Sequence, residues 1–215
     1  MTPSEYRKQA TLLLSELLED TGFSKKRVGQ LTRKTKECEQ HILIDFTRNR
    51  GLPGTLYTAG FSLILDFKEV NRLTCKFLGE KYNAREGTGF RPLYTVIPGE
   101  TPKNAYSRFK YCSDEPFNHY AERVADDFRS YALPFFKKYD SLEKLALYFE
   151  HYPVLKNSEG GFHISRSHGQ NGGWDCCFAA VLCLLERWDK LNMLLKSTEL
   201  LPDQKERIKE YISNR

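Results

Sequence analysis

The 215-residue sequence has no long apolar run. Its longest apolar stretches, such as Phe178 to Leu185, are far shorter than the about 20 residues that cross a bilayer. The opening Met1-Thr2-Pro3-Ser4-Glu5-Tyr6 lacks a basic segment, an apolar stretch and a small-residue cleavage site. It therefore reads as no export signal, and the expected location is the cytoplasm, away from any membrane. No internal repeat of fixed period and no low-complexity linker interrupts the chain, which excludes solenoids and tethered modules.

Chemistry-bearing motifs are equally scarce. There is no CxxC and no HExxH, so no metal site is expected. Glu159-Gly160-Gly161 and Gly87-Thr88-Gly89 lack both the Lys-Ser/Thr pair of a phosphate loop and the glycine spacing of a dinucleotide turn. No cofactor is expected. The six cysteines (Cys38, Cys75, Cys112, Cys176, Cys177 and Cys183) read as thiols, because a chain of this length without an export signal does not need staples.

What is present is a substantial core. The composition is 40% hydrophobic and 13% aromatic, with 12 Tyr and 14 Phe, and the formal charge is +5. Thr2, Pro3 and Glu5 signal a helix start, and Tyr6, Ala10, Leu13, Leu14, Leu17 and Leu18 recur at helical spacing up to Asp20-Thr21-Gly22. Strand signals follow. Residues 28–36 form a basic edge candidate. His41 to Thr47 places Ile42, Ile44 and Phe46 on one face, and Phe61 to Lys68 places Phe61, Leu63, Leu65 and Phe67 on one face. Leu93 to Ile97 and Ala105 to Tyr111 are further strand candidates. No crossover helix fits between the early strands, so the sheet should be antiparallel. Residues 69–90 are ambiguous: 83–89 read as a loop, and a short helix is one reading of the part before it.

The second half is helical in pattern. Phe117, Tyr120, Ala121, Val124 and Phe128 form a stripe that Pro134 should break. Asp140 and Glu143 read as a capping box, residues 175–196 as one long helix, and Asp203 and Glu206 as the start of a last one. The expected fold is α+β: an N-terminal helix on a mainly antiparallel sheet, followed by a C-terminal helical region. It forms a single domain over residues 1–215, with helix and sheet in 1–112 and the mainly helical part in 113–215.

Three constellations compete as sites. Gln170 precedes Cys176 by six residues at a helix start, the layout of papain-like thiol proteases, where a helix N-terminus lowers a thiolate pKa and a Gln stabilises an oxyanion. No His lies downstream of Cys176, so only a permuted arrangement with His163 or His168 would complete it. The run Lys25, Lys26, Arg27, continued by Arg33, Lys34 and Lys36, would suit a nucleic-acid backbone, although Glu37 and Glu39 end it and no aromatics interleave. Tyr82, Arg85, Phe90 and Arg91 flank a glycine-bearing loop and, with Trp174, form the candidate protein-binding residues, since binding centres favour aromatics and Arg. Asp45 and Asp66 sit inside strand candidates and read as members of a solvated sheet face.

Gly22-Phe23-Ser24-Lys25-Lys26 after the first helix, then Tyr131-Ala132-Leu133-Pro134-Phe135-Phe136 and Asp140-Ser141-Leu142-Glu143-Lys144-Leu145, make the chain resemble the DUF4304 family of small, mainly bacterial proteins over roughly residues 1 to 150. That family brings no catalytic residues to carry over. The resemblance implies a binding role of the toxin-immunity kind. The expected function is thus a non-catalytic, immunity-like module with a protein partner. The alternatives are a nucleic-acid-associated protein using Lys25 to Lys36, or a cysteine hydrolase using Cys176.

Overall fold

The first helix, α1 (Pro3–Leu17), starts where its capping chemistry places it. The Thr2 hydroxyl accepts from the Glu5 N–H at 3.3 Å and the Glu5 carboxylate accepts from the Thr2 N–H at 2.6 Å. Those two hydrogen bonds also hold the Glu5 carboxyl below its ordinary pKa. The computed structural model of the chain describes residues 2–48, 55–82, 87–112, 114–151, 163–164 and 172–215. The chain divides into two units: residues 1–35, 39–64 and 91–138 form the first, and residues 36–38, 65–90 and 139–215 the second.

In the first unit, β1 (Ser24–Arg27), β2 (Gln30–Lys34), β3 (Glu39–Arg48) and β4 (Thr55–Asp66, to Ile64 in this unit) follow one another across the sheet, and β6 (Lys110–Cys112) pairs with β4. The sheet is antiparallel, with Leu31 opposite Ile42 and Tyr57 opposite Tyr111. Helix α1 lays Tyr6, Ala10, Leu14 and Leu18 into the core with Leu31, Ile42, Ile44, Phe61 and Leu63. Helix α4 (Phe117–Asp127) packs on α1 with Tyr120, Ala121 and Val124 buried. Phe61 meets Phe109 and Phe128 edge-on, at 5.3 and 5.1 Å between ring centres.

Two buried hydroxyls are shared at the α1–α4 contact. Tyr6 Oη and Tyr120 Oη lie 2.6 Å apart, and the Tyr120 hydroxyl donates to the Phe109 carbonyl at 3.3 Å, so Tyr6 supplies the proton of the short bond. Burial pushes both hydroxyl pKa values well up.

In the second unit, α2 (Lys68–Leu78), α6 (Leu142–Glu150), α7 (Gly173–Leu184), α8 (Trp188–Lys196) and α9 (Pro202–Ser213) surround a core, and β5 (Gly89–Pro92, to Phe90 in this unit) pairs with β7 (His163–Ile164) through Gly89 and Phe90. Helix α7 is the centre. Cys176, Cys177, Ala179, Ala180, Val181, Leu182 and Cys183 are all fully buried, and α7 packs on α2, α6, α8 and α9. Its start is fixed by Gly172, at φ 78°, where an added Cβ would sit 2.3 Å from the buried Gln204 side chain.

Five local expectations are corrected. Leu93–Val96 is a 3₁₀ turn, and residues 102–108 form helix α3 (Pro102–Arg108), leaving only Lys110–Cys112 as strand. Thr101 caps α3 by accepting from the Asn104 N–H, with Pro102 at the first position, a start signal that outweighs the apolar alternation. Pro134 does not end the preceding helix. A π-helical turn, Phe128–Ala132, in which the Leu133 N–H returns to the Phe128 carbonyl, leads into α5 (Leu133–Lys138), which holds Pro134 in its first turn, where its missing N–H is tolerated. The α6 cap is Ser141, accepting from the Lys144 N–H at 3.3 Å, one residue later than expected, while Asp140 pairs with the Lys144 ammonium. Finally, residues 175–196 are two helices. Glu186 takes φ 55°, and the Arg187 and Glu186 N–H groups return to the Leu182 and Cys183 carbonyls, a helix stop normally built on glycine.

Two measurements test this account. Glu186→Gly should stabilise the fold by about 1 kcal/mol in denaturant unfolding, because a left-handed non-glycine residue costs about 1–2 kcal/mol and the distant Arg215 ion pair lost is weak. Tyr6→Phe and Tyr120→Phe should each cost about 1–2 kcal/mol while the double variant costs less than their sum, since both remove the same hydrogen bond. Because burial raises both hydroxyl pKa values, their contribution is complete below about pH 10 and declines as the pH rises above it, when the unfolded chain loses protons that the folded chain keeps. The double variant should flatten that alkaline loss.

Candidate functional site

The cysteine constellation is assembled from α7, and burial decides its chemistry. Cys176 lies in the first turn of the helix, where a helix dipole favours a thiolate. Its side chain is nevertheless fully buried, and burial, with Asp175 adding to it, pushes the thiol up to about 12. Cys177 is also pushed up to about 12 by burial, against a side-chain hydrogen bond with Thr74, and Cys183 to about 11 by burial. All six cysteines are thiols. A thiol at that level is protonated at neutral pH and is a poor nucleophile. His168 and Gln170 lie outside the described residues, and His163 is described only as part of β7.

The loop constellation is divided. Tyr82 is half-buried beneath the Arg72 guanidinium, 5.8 Å from its ring centre, and burial followed by the Asp66 charge raises its hydroxyl pKa. The following segment is anchored by Thr88, whose hydroxyl accepts from the Phe67 N–H at 2.8 Å. Phe90 is exposed, and Arg85 lies outside the described residues. Arg91 is buried: its Nε donates to the Thr95 hydroxyl at 2.7 Å and its Nη2 to the Thr95 carbonyl at 3.0 Å, so it fastens the 3₁₀ turn from inside. Trp174 packs edge-on against Phe149 at 4.7 Å and leans on Tyr148, while Phe178 stacks on Phe149 at 5.4 Å. That places Trp174 in an aromatic cluster of the second unit.

The basic constellation separates by residue. All four residues of β1, including Lys25, Lys26 and Arg27, are exposed. Lys26 and Lys34 both reach the Glu39 carboxylate, at 3.4 and 3.8 Å. Arg33 is occupied within the fold: Nε and Nη2 donate to the Gln40 amide oxygen at 2.8 and 2.6 Å, Nη1 donates to the Thr21 carbonyl at 3.0 Å, and the guanidinium covers the Phe23 ring. Lys36 is exposed and falls in the second unit. The carboxylate candidates also part: Asp45 is exposed, opposite Gly60, whereas Asp66 is buried and accepts from the Asn71 amide at 2.7 Å. The solvated-face reading holds for Asp45 and is corrected for Asp66, whose burial is sustained by that hydrogen bond.

Sequence spacing gave no sign of a half-buried ion network in the first unit. Arg108 Nε donates to Asp127 at 2.7 Å, and Arg108 also faces Glu100 at 3.5 Å. Asp127 holds the guanidinium more firmly protonated. The network fastens α3 to α4, and its members are too far apart in sequence for any local motif to signal it. Leu12 and Val28, exposed apolar residues on α1 and in the turn after β1, are a second omission. Leu12 falls off the apolar stripe of α1, which is the signal that could have found it.

No family model, curated protein or solved structure matches the chain. Among the described residues no helix is long and apolar enough to cross a membrane.

Alkylation of the native protein at pH 7.5, read by intact mass, should modify the half-buried Cys112 first and leave Cys176 untouched until the protein is unfolded. Rapid modification of Cys176 would restore the hydrolase reading.

Proposed function

We propose that the chain works by binding a protein partner and not by catalysis, in the immunity-like manner that its resemblance to the DUF4304 family implies. The observation that carries this reading is β1, an edge strand whose consecutive cations Lys25, Lys26 and Arg27 are all exposed. The groups that a hydrolase would need are in the opposite situation, because Cys176 is buried and protonated. Exposed cations steer an acidic partner and fix its orientation. The Arg72–Tyr82 pair with Phe90 offers a second, smaller contact surface of the type that binding centres use.

Nucleic acid is the alternative that the same strand supports. Its weakness lies in the neighbours: Glu39 is shared by Lys26 and Lys34, and Arg33 is occupied by Gln40 and Thr21. Each phosphate contact should contribute a log–log salt slope of about −0.9 on duplex DNA, so a strand with few available cations predicts a shallow slope.

A pull-down of the purified chain from its native lysate, with and without nuclease, should recover a protein in stoichiometric amount that survives nuclease. Recovery of nucleic acid alone, lost at raised salt, would replace this reading with the alternative.

A further inference from the structure

We infer that the partner docks on the flank of α1 that carries β1, centred on Leu12 and Val28, and that it presents an acidic segment with apolar side chains at its middle. This inference rests on the binding reading above. Two hydrogen bonds set the geometry. The Gly29 N–H donates to the Thr11 hydroxyl at 2.8 Å, and the Lys25 N–H donates to the Ser15 hydroxyl at 3.0 Å. Thr11 and Ser15 are one helical turn apart, so β1 and the turn at Val28 and Gly29 run along one flank of the helix. The helical rotation places Lys8 and Leu12 on the same flank, next outward from Thr11 and Ser15.

Leu12 is 38% exposed and Val28 is 44% exposed. They are the large apolar side chains that the first unit leaves exposed among its described residues, and both fall on this flank. Scattered exposed apolar residues are ordinary, but two of them on one seam with cations beside them are a patch. Lys8, Lys25 and Arg27 are exposed and, unlike Lys26 and Lys34, have no carboxylate partner among the described residues. Glu16 and Glu19 follow Ser15 and bound the cationic part at the C-terminal end of the helix.

An apolar centre within a charged rim is the anatomy of a protein interface. A phosphate backbone would satisfy the cations and offer nothing to Leu12 and Val28. A bilayer surface would need a continuous apolar helix face, and that face of α1, made of Tyr6, Ala10, Leu14 and Leu18, is buried. Addition of a partner strand to β1 is disfavoured because Ser15 already holds the Lys25 N–H, so the contacts are made by side chains.

The test uses the full chain immobilised against nuclease-treated native lysate, as wild type, as Leu12→Ser/Val28→Ser and as Lys25→Glu/Arg27→Glu. Thermal unfolding must first confirm that both variants fold as the wild type does, which is expected of exposed positions. The expected result is an acidic protein captured by the wild type and reduced about tenfold by each variant. Capture that survives both variants overturns this surface and leaves the binding reading standing. Capture lost only with Lys25→Glu/Arg27→Glu and restored by omitting nuclease assigns the strand to nucleic acid and overturns it. Sedimentation with phosphatidylserine vesicles that depends on Leu12 and Val28 overturns it in favour of a lipid surface. Absence of any captured protein overturns both the surface and the binding reading.

Discussion

The seating of α1 is the constraint on which the first unit depends. One stripe of the helix, Tyr6, Ala10, Leu14 and Leu18, reaches the core, and three sides of the helix are tied to other elements. Tyr6 shares its hydroxyl bond with Tyr120, Thr11 and Ser15 hold the backbone of the first hairpin, and the Leu17 carbonyl accepts from Arg129. A helix fixed on three sides cannot rotate to bury Leu12 without breaking one of these ties. The exposure of Leu12 is thus a consequence of how α1 is held.

The second unit follows a different rule. Helix α7 is apolar and small-sided nearly all round, so it can only exist inside other helices, and its cysteines serve there as compact apolar residues. The same burial that makes Cys176 a good packing residue removes its reactivity. A local pattern of Gln, Gly and Cys at a helix start has one chemistry on a surface and another in a core, and the surrounding helices decide between them.

Periodic features were the most legible in the sequence. The capping box at Thr2 and Glu5, the stripe of α1 and the strand around His41 to Thr47 appear where spacing placed them, whereas the strand expected over Phe61 to Lys68 starts earlier, at Thr55, and ends at Asp66, with Lys68 opening α2. The failures are local competitions that spacing does not weigh. Thr101 and Pro102 start a helix over residues that also alternate, and Glu186 ends one without the expected glycine. The site residues divide in the same way. The exposure of Lys25 to Arg27 was readable from composition, whereas the inward turn of Arg91, Arg33 and Trp174 depends on Thr95, Gln40 and Phe149, partners that local spacing does not single out.

The hydrogen bond from the Lys25 N–H to Ser15 has a consequence for the chain in crowded solution. An open strand edge is a template on which further chains can stack as growing fibrils, and here a helix side chain occupies one of its outward-pointing donors while three consecutive cations repel an incoming copy. Helix α1 thus also acts as a guard against self-assembly, and a chain that lost it would expose a sheet edge with only its charges to keep other copies away.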